Sequence, residues 1–597
     1  MTLRTARSWV VVAAVTLIVA QLVVRAVLAF RGYFYWDDLI LVGRAGTHDL
    51  LSPAYLFDDH DGHVMPGAFL VAGVITRAWP LVWAGPAASL VVLQLLASLA
   101  LLRALHTILG WRPVLLVPLT FALFCPLGLP AFAWWSAALN ALPMLAALSW
   151  VCADAILLVR TGNRRYAVTG TLAYAGGLLF FEKAAVIPFV AFAVVALLGY
   201  VQGGSGAGGS AATVWRSGIR LWTATLGLTV GWIGLYLVVV NQRRWSFDLV
   251  MTRDLLWRSI ARGIVPGLAG GPWGWARWAP SSPWAVPGSV VMTLGWLVLA
   301  GLLTISLLRK QHLVPVWLVA AGYAVACQVP IYLMRSSAFT VLELAQTLRY
   351  LPDLVVVLAL LGAVGLCAPN RGSSRWLDAS TARTVAVSGL AAAFAASSLY
   401  STATFLTVWR DNPAQPYLQN ARHGLAAARA GSDAPLLDQE VDPLVLQRVV
   451  GPESLASHLF AVLSDRPEFA STTSRLKMLD SAGRLTDAQV TWVRTIVAGP
   501  VPRCGYLVQP DRPARMGLDG PLLPADWTAE INYLANVDGS VTLSLSEGPD
   551  VRVRVRPGLN VVYVRLPGAG NIITARADTA ALSVCIAAGP IGYVAPL

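Results

Sequence analysis

The first long apolar run of the chain, SWVVVAAVTLIVAQLVVRAVLAF at residues 8–30, has the length that crosses a lipid bilayer. It is longer than the core of a signal peptide and lacks a small-residue cleavage site, so it predicts a retained membrane helix. Of the 597 residues, 56% are hydrophobic and only 13% are charged, whereas soluble domains carry about 25% charged residues. The sequence therefore predicts an integral membrane protein in which this run is the first of many helices.

Similar apolar runs recur along the chain and predict eleven membrane spans. They lie near residues 9–30, 86–104, 113–130, 138–158, 166–181, 184–200, 221–240, 290–308, 313–333, 351–368 and 385–405. With the amino terminus in the cytoplasm, the loops predicted to be cytoplasmic are basic, as the positive-inside rule requires. We interpret the mixed stretch Met65–Trp83 as an amphipathic helix on the outer surface, because counting it as a span would place the later basic loops outside.

An odd number of spans places everything after Trp409 outside the cytoplasm. Residues 411–500 are predicted to be a helical linker region, with helices in NARHGLAAARAG (420–431) and TDAQVTWVRTIV (486–497). Residues 501–597 hold short alternating runs such as DVRVRVR, separated by turn residues, and predict a β-sandwich of the jelly-roll kind. Cys504 and Cys585 are predicted to form a disulfide there, since that compartment is oxidising, and two buried free thiols are the alternative.

Almost all carboxylates of the membrane part fall on the predicted outer side. Asp37 and Asp38 follow the first span directly, in the aromatic stretch GYFYWDD. Carboxylates at membrane level are costly unless they serve a function, so this pair is a candidate catalytic site. Asp61, His63 and Glu182 lie on the same predicted side and are candidates for a second acid or for the acceptor side of that site.

Basic residues on the predicted outer side are few and grouped. Lys183 lies at a short hinge between two spans, Arg349 precedes a late span, and Arg243 and Arg244 lie in a long tryptophan-rich loop. Arg and Lys bind phosphate through charge-assisted hydrogen bonds, so these four residues are candidates for binding an anionic ligand. For the loop, an interfacial helix on anionic lipid headgroups is an equal alternative.

The order of these features over residues 1–410 resembles the GT-C superfamily of polyprenyl-phosphate-sugar glycosyltransferases. The shared features are the acidic pair in the first outer loop, the amphipathic surface segment, the lysine at an outer hinge and the arginine before a late helix. The segment FDDHDGHVMPG (57–67) looks like the place where relatives have an acidic residue before prolines. The terminal β module is similar to the carbohydrate-binding modules of mycobacterial arabinosyltransferases, and the Ala-, Val- and Arg-rich composition suits an actinobacterium.

The resemblance implies a GT-C-like transmembrane catalytic domain of about eleven helices, followed by an extracytoplasmic α+β domain ending in a β-sandwich. It implies that Asp37 or Asp38 is the general base and that the four basic residues bind the donor phosphate. The implied reaction is inverting transfer of a sugar from a polyprenyl-phosphate donor to an envelope glycan, glycolipid or protein, on the outer face of the plasma membrane.

The expected partners are the lipid-linked sugar donor, the envelope acceptor and membrane lipid. Nucleic acid is not expected, because membrane topology already explains most of the basic residues. No nucleotide is required, and a divalent cation is left open as a cofactor. Three other functions compete with transfer of a single sugar: a transporter or flippase of envelope precursors, a ligase of lipid-linked polymers, and a non-catalytic envelope-assembly scaffold with a glycan-binding domain.

Overall fold

The computed structural model describes residues 3–203, 211–240, 248–337, 340–371, 380–431 and 434–597. These residues form two compact units. The first consists of Met1–Leu41 and His48–Asn412, and the second of Val42–Thr47 and Pro413–Leu597. The glycine-rich run at 203–209, predicted to be a flexible cytoplasmic loop, lies outside the described residues except for Gly203.

The first unit is built almost entirely from α-helices. Its helices are α1 Leu3–Phe30, α2 Asp37–Thr47 (whose last turns belong to the second unit), α3 Pro53–Leu56, α4 Pro66–Ala78, α5 Ala84–Leu109, α6 Leu116–Phe124, α7 Leu129–Ala133, α8 Trp135–Thr161, α9 Arg165–Phe180, α10 Ile187–Gly203, α11 Ala211–Val239, α12 Leu249–Ser259, α13 Val265–Leu268, α14 Ser289–Arg309, α15 Val314–Ala326, α16 Val329–Arg335, α17 Pro352–Cys367 and α18 Ser380–Trp409. A small hairpin of β1 Trp275–Ala276 and β2 Trp284–Ala285 precedes α14. The fold class predicted for this part of the chain is confirmed.

Within the described ranges, eight helical stretches are long and apolar enough to cross a membrane. They are Ser8–Phe30, Ala84–Leu109, Trp135–Thr161, Glu182–Gly203, Ala211–Val239, Ser289–Arg309, Val314–Arg335 and Val385–Trp409. A bent pair, Pro113–Phe124 and Pro126–Ala133, makes a ninth if it is one span. The remaining two predicted runs are α9 and α17, each of 16 residues. The chain is a multi-pass membrane protein, and the number of eleven spans stays a prediction.

Prolines set several helix boundaries in the first unit. Pro66 opens α4 and Pro352 opens α17, where the missing N–H has no helical acceptor and the fixed φ suits a helix. Cys125 precedes Pro126 and has an extended backbone, so the bent pair breaks at this point. The stretch Met65–Trp83 contains α4 as predicted, while its place on the membrane surface stays a prediction.

The second unit consists of two helices, a large antiparallel sheet and a short parallel strand pair. Its elements are α19 Ala414–Gly431, β3 Leu436–Leu437, α20 Ala456–Leu459, β4 Phe469–Ala470, β5 Thr472–Thr473, β6 Lys477–Leu479, β7 Leu485–Thr495, β8 Tyr506–Val508, β9 Ala514–Ala535, β10 Gly539–Glu547, β11 Val551–Val555, β12 Gly558–Ala577, β13 Val584–Ile586 and β14 Pro590–Pro596. The large sheet has the order β11-β10-β12-β9-β14-β7-β6, with β13 pairing β8 and β9, and β5 pairing β12. The predicted β-rich end of the chain is confirmed.

Alternating burial explains why the residues of this unit form strands. In β11, the valines are buried and the arginines between them are exposed, so one face of the strand joins the apolar core. The long strands β9 and β12 pair along most of their length and shift register at Gly568 and Gly570. Both glycines have positive φ, at 139° and 113°, which side-chain-bearing residues rarely adopt, so they permit the irregularity.

Two predictions for the second unit have opposite outcomes. The run at 420–431 lies in α19 as predicted, but the helix predicted at 486–497 is wrong, because Leu485–Thr495 forms β7. Ala488 and Val490 are buried while their neighbours Gln489 and Thr491 are exposed, a period of two that fits a strand pairing with β14. Residues 411–500 are therefore a mixture of helix and strand rather than a helical region.

The predicted disulfide between Cys504 and Cys585 is confirmed. The two Cα atoms are 4.8 Å apart, and the bridge joins positions separated by 81 residues. Cys585 lies in β13, which pairs with both β8 and β9, so the bridge ties the loop before β8 to the sheet. The other four cysteines are free thiols within the first unit.

Candidate active site

Asp37 and Asp38 begin α2 and lie in different surroundings. Asp38 is fully buried; its Oδ2 accepts a hydrogen bond from the backbone N–H of Tyr35 at 2.9 Å and its Oδ1 accepts one from that of Ser136 at 2.8 Å. Burial raises the pKa of Asp38 well above its ordinary value, although both hydrogen bonds favour the charged form. Asp38 therefore ties the α1–α2 connection to the first turn of α8, whereas Asp37 is partly exposed.

Four charged groups from three segments of the chain influence the pKa of Asp37. Burial raises the pKa of Asp37 to about 6, against the opposing effect of the positive charge of Arg349. Asp61 raises it further, while His63 and Arg335 lower it. Asp37 therefore changes its protonation state close to neutral pH, as a general base must.

Strained backbone lies next to these charges. Trp36, Asp61 and Leu348 have φ values of 44°, 52° and 56°, and they are three of seven non-glycine residues with positive φ in the described chain. Trp36 precedes Asp37, and Leu348 precedes Arg349. Such conformations cost about 1–3 kcal/mol each and tend to cluster where a side chain must be held for function.

The 57–65 loop contacts the hinge before α10 through an ion pair. His63 Nδ1 lies 2.7 Å from Glu182 Oε1. Burial alone would lower the pKa of His63, but the charge of Glu182 and its hydrogen bond outweigh burial and raise it. The other oxygen, Glu182 Oε2, is buried and has no hydrogen-bond partner among the described residues. Nearby, Arg335 donates a hydrogen bond to Asp61 at 3.1 Å.

Lys183 is held in a buried ion pair. Its Nζ donates to Asp353 Oδ1 at 2.8 Å and to the backbone carbonyl of Tyr350 at 2.9 Å. The hydroxyl of Tyr323 donates to the second oxygen of Asp353 at 2.6 Å. The charge of Lys183 is thus already balanced, and the pair fixes the start of α17 and the chain that carries Arg349.

Arg349 lies close to two aromatic rings. Its guanidinium carbon lies 5.0 Å from the ring centre of Trp134 and 4.9 Å from that of Tyr350. One guanidinium nitrogen donates to the Tyr350 hydroxyl at 2.6 Å, while Nε is buried with no partner in the described part of the chain. Burial would raise the pKa of Tyr350, but Arg349 and Arg335 lower it overall. Arg349 therefore keeps donors for an anionic ligand.

The structure brings together most of the residues predicted for this site. Asp37, Asp61 and His63 share one charged cluster with Arg349, and Glu182 joins it through His63. Arg243 and Arg244 lie outside the described residues.

Sequence reasoning missed Arg335, Tyr350 and Asp353 as parts of this site. The sequence did offer a signal for Arg335. This arginine follows the predicted span at 313–333 and therefore lies on the predicted outer side, as Arg349 does. Among the described residues, no cluster of three or more His, Cys, Asp or Glu side chains could hold a metal ion.

Comparisons with known proteins find similarity only among solved structures. No protein-family profile and no curated protein matches the chain. Ten chains of solved structures match it. One is ArnT from Cupriavidus metallidurans bound to undecaprenyl phosphate, with 15% identity and a TM-score of 0.41, covering 76% of this chain and 89% of that one. ArnT in the apo state has 16% identity and a TM-score of 0.37, covering 68% and 77%.

TM-scores below 0.5 and identities near 15% carry no information about this chain's substrate or mechanism.

Proposed function

We propose that this chain is a glycosyltransferase that uses a sugar donor linked to a polyprenyl phosphate, with its active site around Asp37. One observation carries the proposal: a partly exposed carboxylate with a pKa of about 6 lies among the cations Arg349 and Arg335. Sugar transfer from a lipid phosphate needs a base for the acceptor hydroxyl and positive charge for the leaving phosphate. The cluster supplies both.

Asp37 is the proposed general base. It has the exposure that contact with an acceptor requires, and its carboxylate takes the proton of the acceptor hydroxyl as that oxygen attacks the anomeric carbon of the sugar. Asp38 is a positioning residue, because both of its oxygens accept backbone hydrogen bonds and its side chain is fully buried. A single displacement with one base inverts the anomeric centre.

Arg349 is the proposed contact to the donor phosphate. The rings of Trp134 and Tyr350 restrict its guanidinium, so little conformational freedom is lost when it binds. As the glycosidic bond breaks, the charge on the phosphate oxygen grows, and a fixed cation stabilises it. Lys183 acts through Asp353 to position this segment, while Arg243 and Arg244 stay candidates for a further contact.

His63, Glu182 and Asp61 are the proposed acceptor side of the site. The unpartnered Glu182 Oε2 is an acceptor for a sugar hydroxyl, and the pair with His63 holds it in place. The positive-inside pattern of the loops on the opposite side supports a site at the outer face of the plasma membrane, and the proposed acceptor there is an envelope glycan, glycolipid or protein. Carbohydrate binding by the β module is part of the same hypothesis.

The test is transfer of a labelled sugar from a polyprenyl-phosphate donor by the purified full-length chain. We expect Asp37→Asn to abolish transfer and Asp254→Asn to leave it unchanged, because Asp254 is exposed and pairs only with its neighbour Arg253 among the described residues. Transfer that persists in Asp37→Asn would exclude Asp37 as the base. A wild-type protein that moves the labelled lipid across proteoliposomes without releasing its sugar would be a flippase instead.

A further inference from the structure

Arg25 is a charged residue inside the first apolar helix. It lies five positions before the end of that helix at Phe30, or about 7.5 Å along the axis at 1.5 Å per residue. Its side chain is only 5% exposed, so it turns into the helix bundle and does not extend to lipid headgroups. Ionisable residues at such a place are rare and are usually paired or used for function.

The guanidinium of Arg25 lacks a counter-charge among the described residues. Its Nη1 is buried without a hydrogen-bond partner, and its central carbon lies 4.8 Å from the ring centre of Phe132. Among the described residues, the one ionisable group that interacts electrostatically with the Arg25 guanidinium is the buried thiol of Cys125. A thiol of this kind is neutral at physiological pH, and arginine stays protonated in proteins, so the positive charge is not balanced.

Arg25 borders a cavity of about 50 Å³ between α1, α5, the bent pair α6–α7, α8 and α17. Its polar lining includes Gln21, Gln94 and Ser98. Gln94 Nε2 donates to Ser98 Oγ at 3.2 Å, and Ser98 Oγ donates to the Gln21 carbonyl oxygen at 3.2 Å. These two hydrogen bonds use the Ser98 hydroxyl and the Gln21 oxygen, while the side-chain amides of Gln21 and Gln94 keep further N–H donors. The cavity thus offers hydrogen-bond donors and a positive charge.

We propose that this cavity binds a small inorganic anion of the size of chloride. In a low-dielectric interior, an unpaired charge is strongly unfavourable, and an anion removes that cost while accepting hydrogen bonds from the guanidinium and the amides. A volume of about 50 Å³ has room for a monatomic ion, since on the same measure a cavity needs about 10–15 Å³ to hold a single water molecule. None of the residues that line this cavity belongs to the Asp37 site, so the anion site is separate from it.

The anion links α1 to the break in the neighbouring bent pair. Arg25 Nη2 lies 3.7 Å from the position that a Cβ on Gly128 would occupy, so the guanidinium packs directly on this turn. Bound anion therefore stabilises the contact between the first helix and the start of α7. Removal of the anion leaves the buried charge uncompensated, and the whole chain becomes less stable.

Two measurements on the full-length protein test this proposal. In crystals grown with bromide in place of chloride, we expect an anomalous peak in the cavity beside Arg25. In detergent, we expect the unfolding midpoint to rise and then saturate as chloride replaces gluconate at constant ionic strength. Arg25→Gln should lose this chloride dependence entirely.

Arg103→Gln is the matched control, because Arg103 also lies in a membrane helix but pairs with the buried Asp154. This variant should lower the midpoint and keep the chloride dependence. Four results would each overturn the proposal: no bromide peak, equal midpoints in both salts, chloride dependence that survives in Arg25→Gln, or density for a lipid phosphate in the cavity. The bromide experiment uses the natural chain, so the proposal stays testable if Arg25→Gln does not fold.

Discussion

Replacing Asp37 with Asn should abolish sugar transfer and also make the protein more stable above pH 6. Burial raises the pKa of Asp37 from its ordinary value of 3.8 to about 6, because the desolvated carboxylate disfavours its charged form. An ionised Asp37 therefore destabilises the folded protein at neutral pH. Asn resembles the protonated acid in shape and carries no charge, so it removes this destabilisation together with the base.

The size and the pH range of the effect follow from the shift in pKa. A difference of about two pKa units corresponds to about 3 kcal/mol, and partial exposure of the side chain reduces the expected gain to about 1–2 kcal/mol. Below pH 3.8 the folded and unfolded states are both protonated, so the aspartate costs nothing. As pH rises from about 4 to about 6, the unfolded state loses its proton first, and wild-type stability falls relative to the variant. Above this range the difference is constant.

The assay is denaturant unfolding of wild type and Asp37→Asn in mixed micelles from pH 4 to pH 8. Asp254→Asn serves as the matched control, since Asp254 is exposed and pairs only with Arg253 among the described residues. If Asp37→Asn is less stable than wild type at pH 8, or if the difference does not change with pH, the raised pKa is wrong. In the same pH range, wild-type transfer should increase through pH 6 as the base ionises.

The remaining predictions concern three other contacts. Arg349→Met should weaken donor binding by about 1.5–3 kcal/mol, the value of hydrogen bonds to charged groups, and unchanged affinity in a lipid-binding titration would exclude it as the phosphate contact. Lys183→Met and Asp353→Asn should each lower stability by about 3–5 kcal/mol by leaving a buried charge alone, and the double variant should lose less than the sum of both in unfolding experiments. Replacing Cys504 and Cys585 with Ser should destabilise the second unit by about 4–5 kcal/mol, measured under non-reducing conditions; equal stability with and without the bridge would contradict the chain-entropy account.

The sequence by itself determines where the apolar helices lie, because an apolar run is a local property. Each of the eleven predicted runs is helical over most of its length, and the alternating runs near the end of the chain form strands. Local pattern was misleading at 486–497. That stretch alternates apolar Ala488 and Val490 with polar Gln489 and Thr491, and it becomes β7 by pairing with β14, some 100 residues later in the chain, a partner that no local window of sequence contains.

Only the tertiary structure decides the roles of the adjacent acids. Successive residues of a helix point about 100° apart, so Asp37 and Asp38 meet different neighbours although their chemistry is identical. Asp38 turns to the backbone of Ser136, 98 positions later, and is fully buried, while Asp37 remains accessible. Likewise, the sequence marks Lys183 as a cation at an outer hinge, but its pairing with Asp353, 170 positions away, depends on how the helices pack. Contacts between distant segments are set by the packing of the whole bundle, and no local stretch of sequence encodes them.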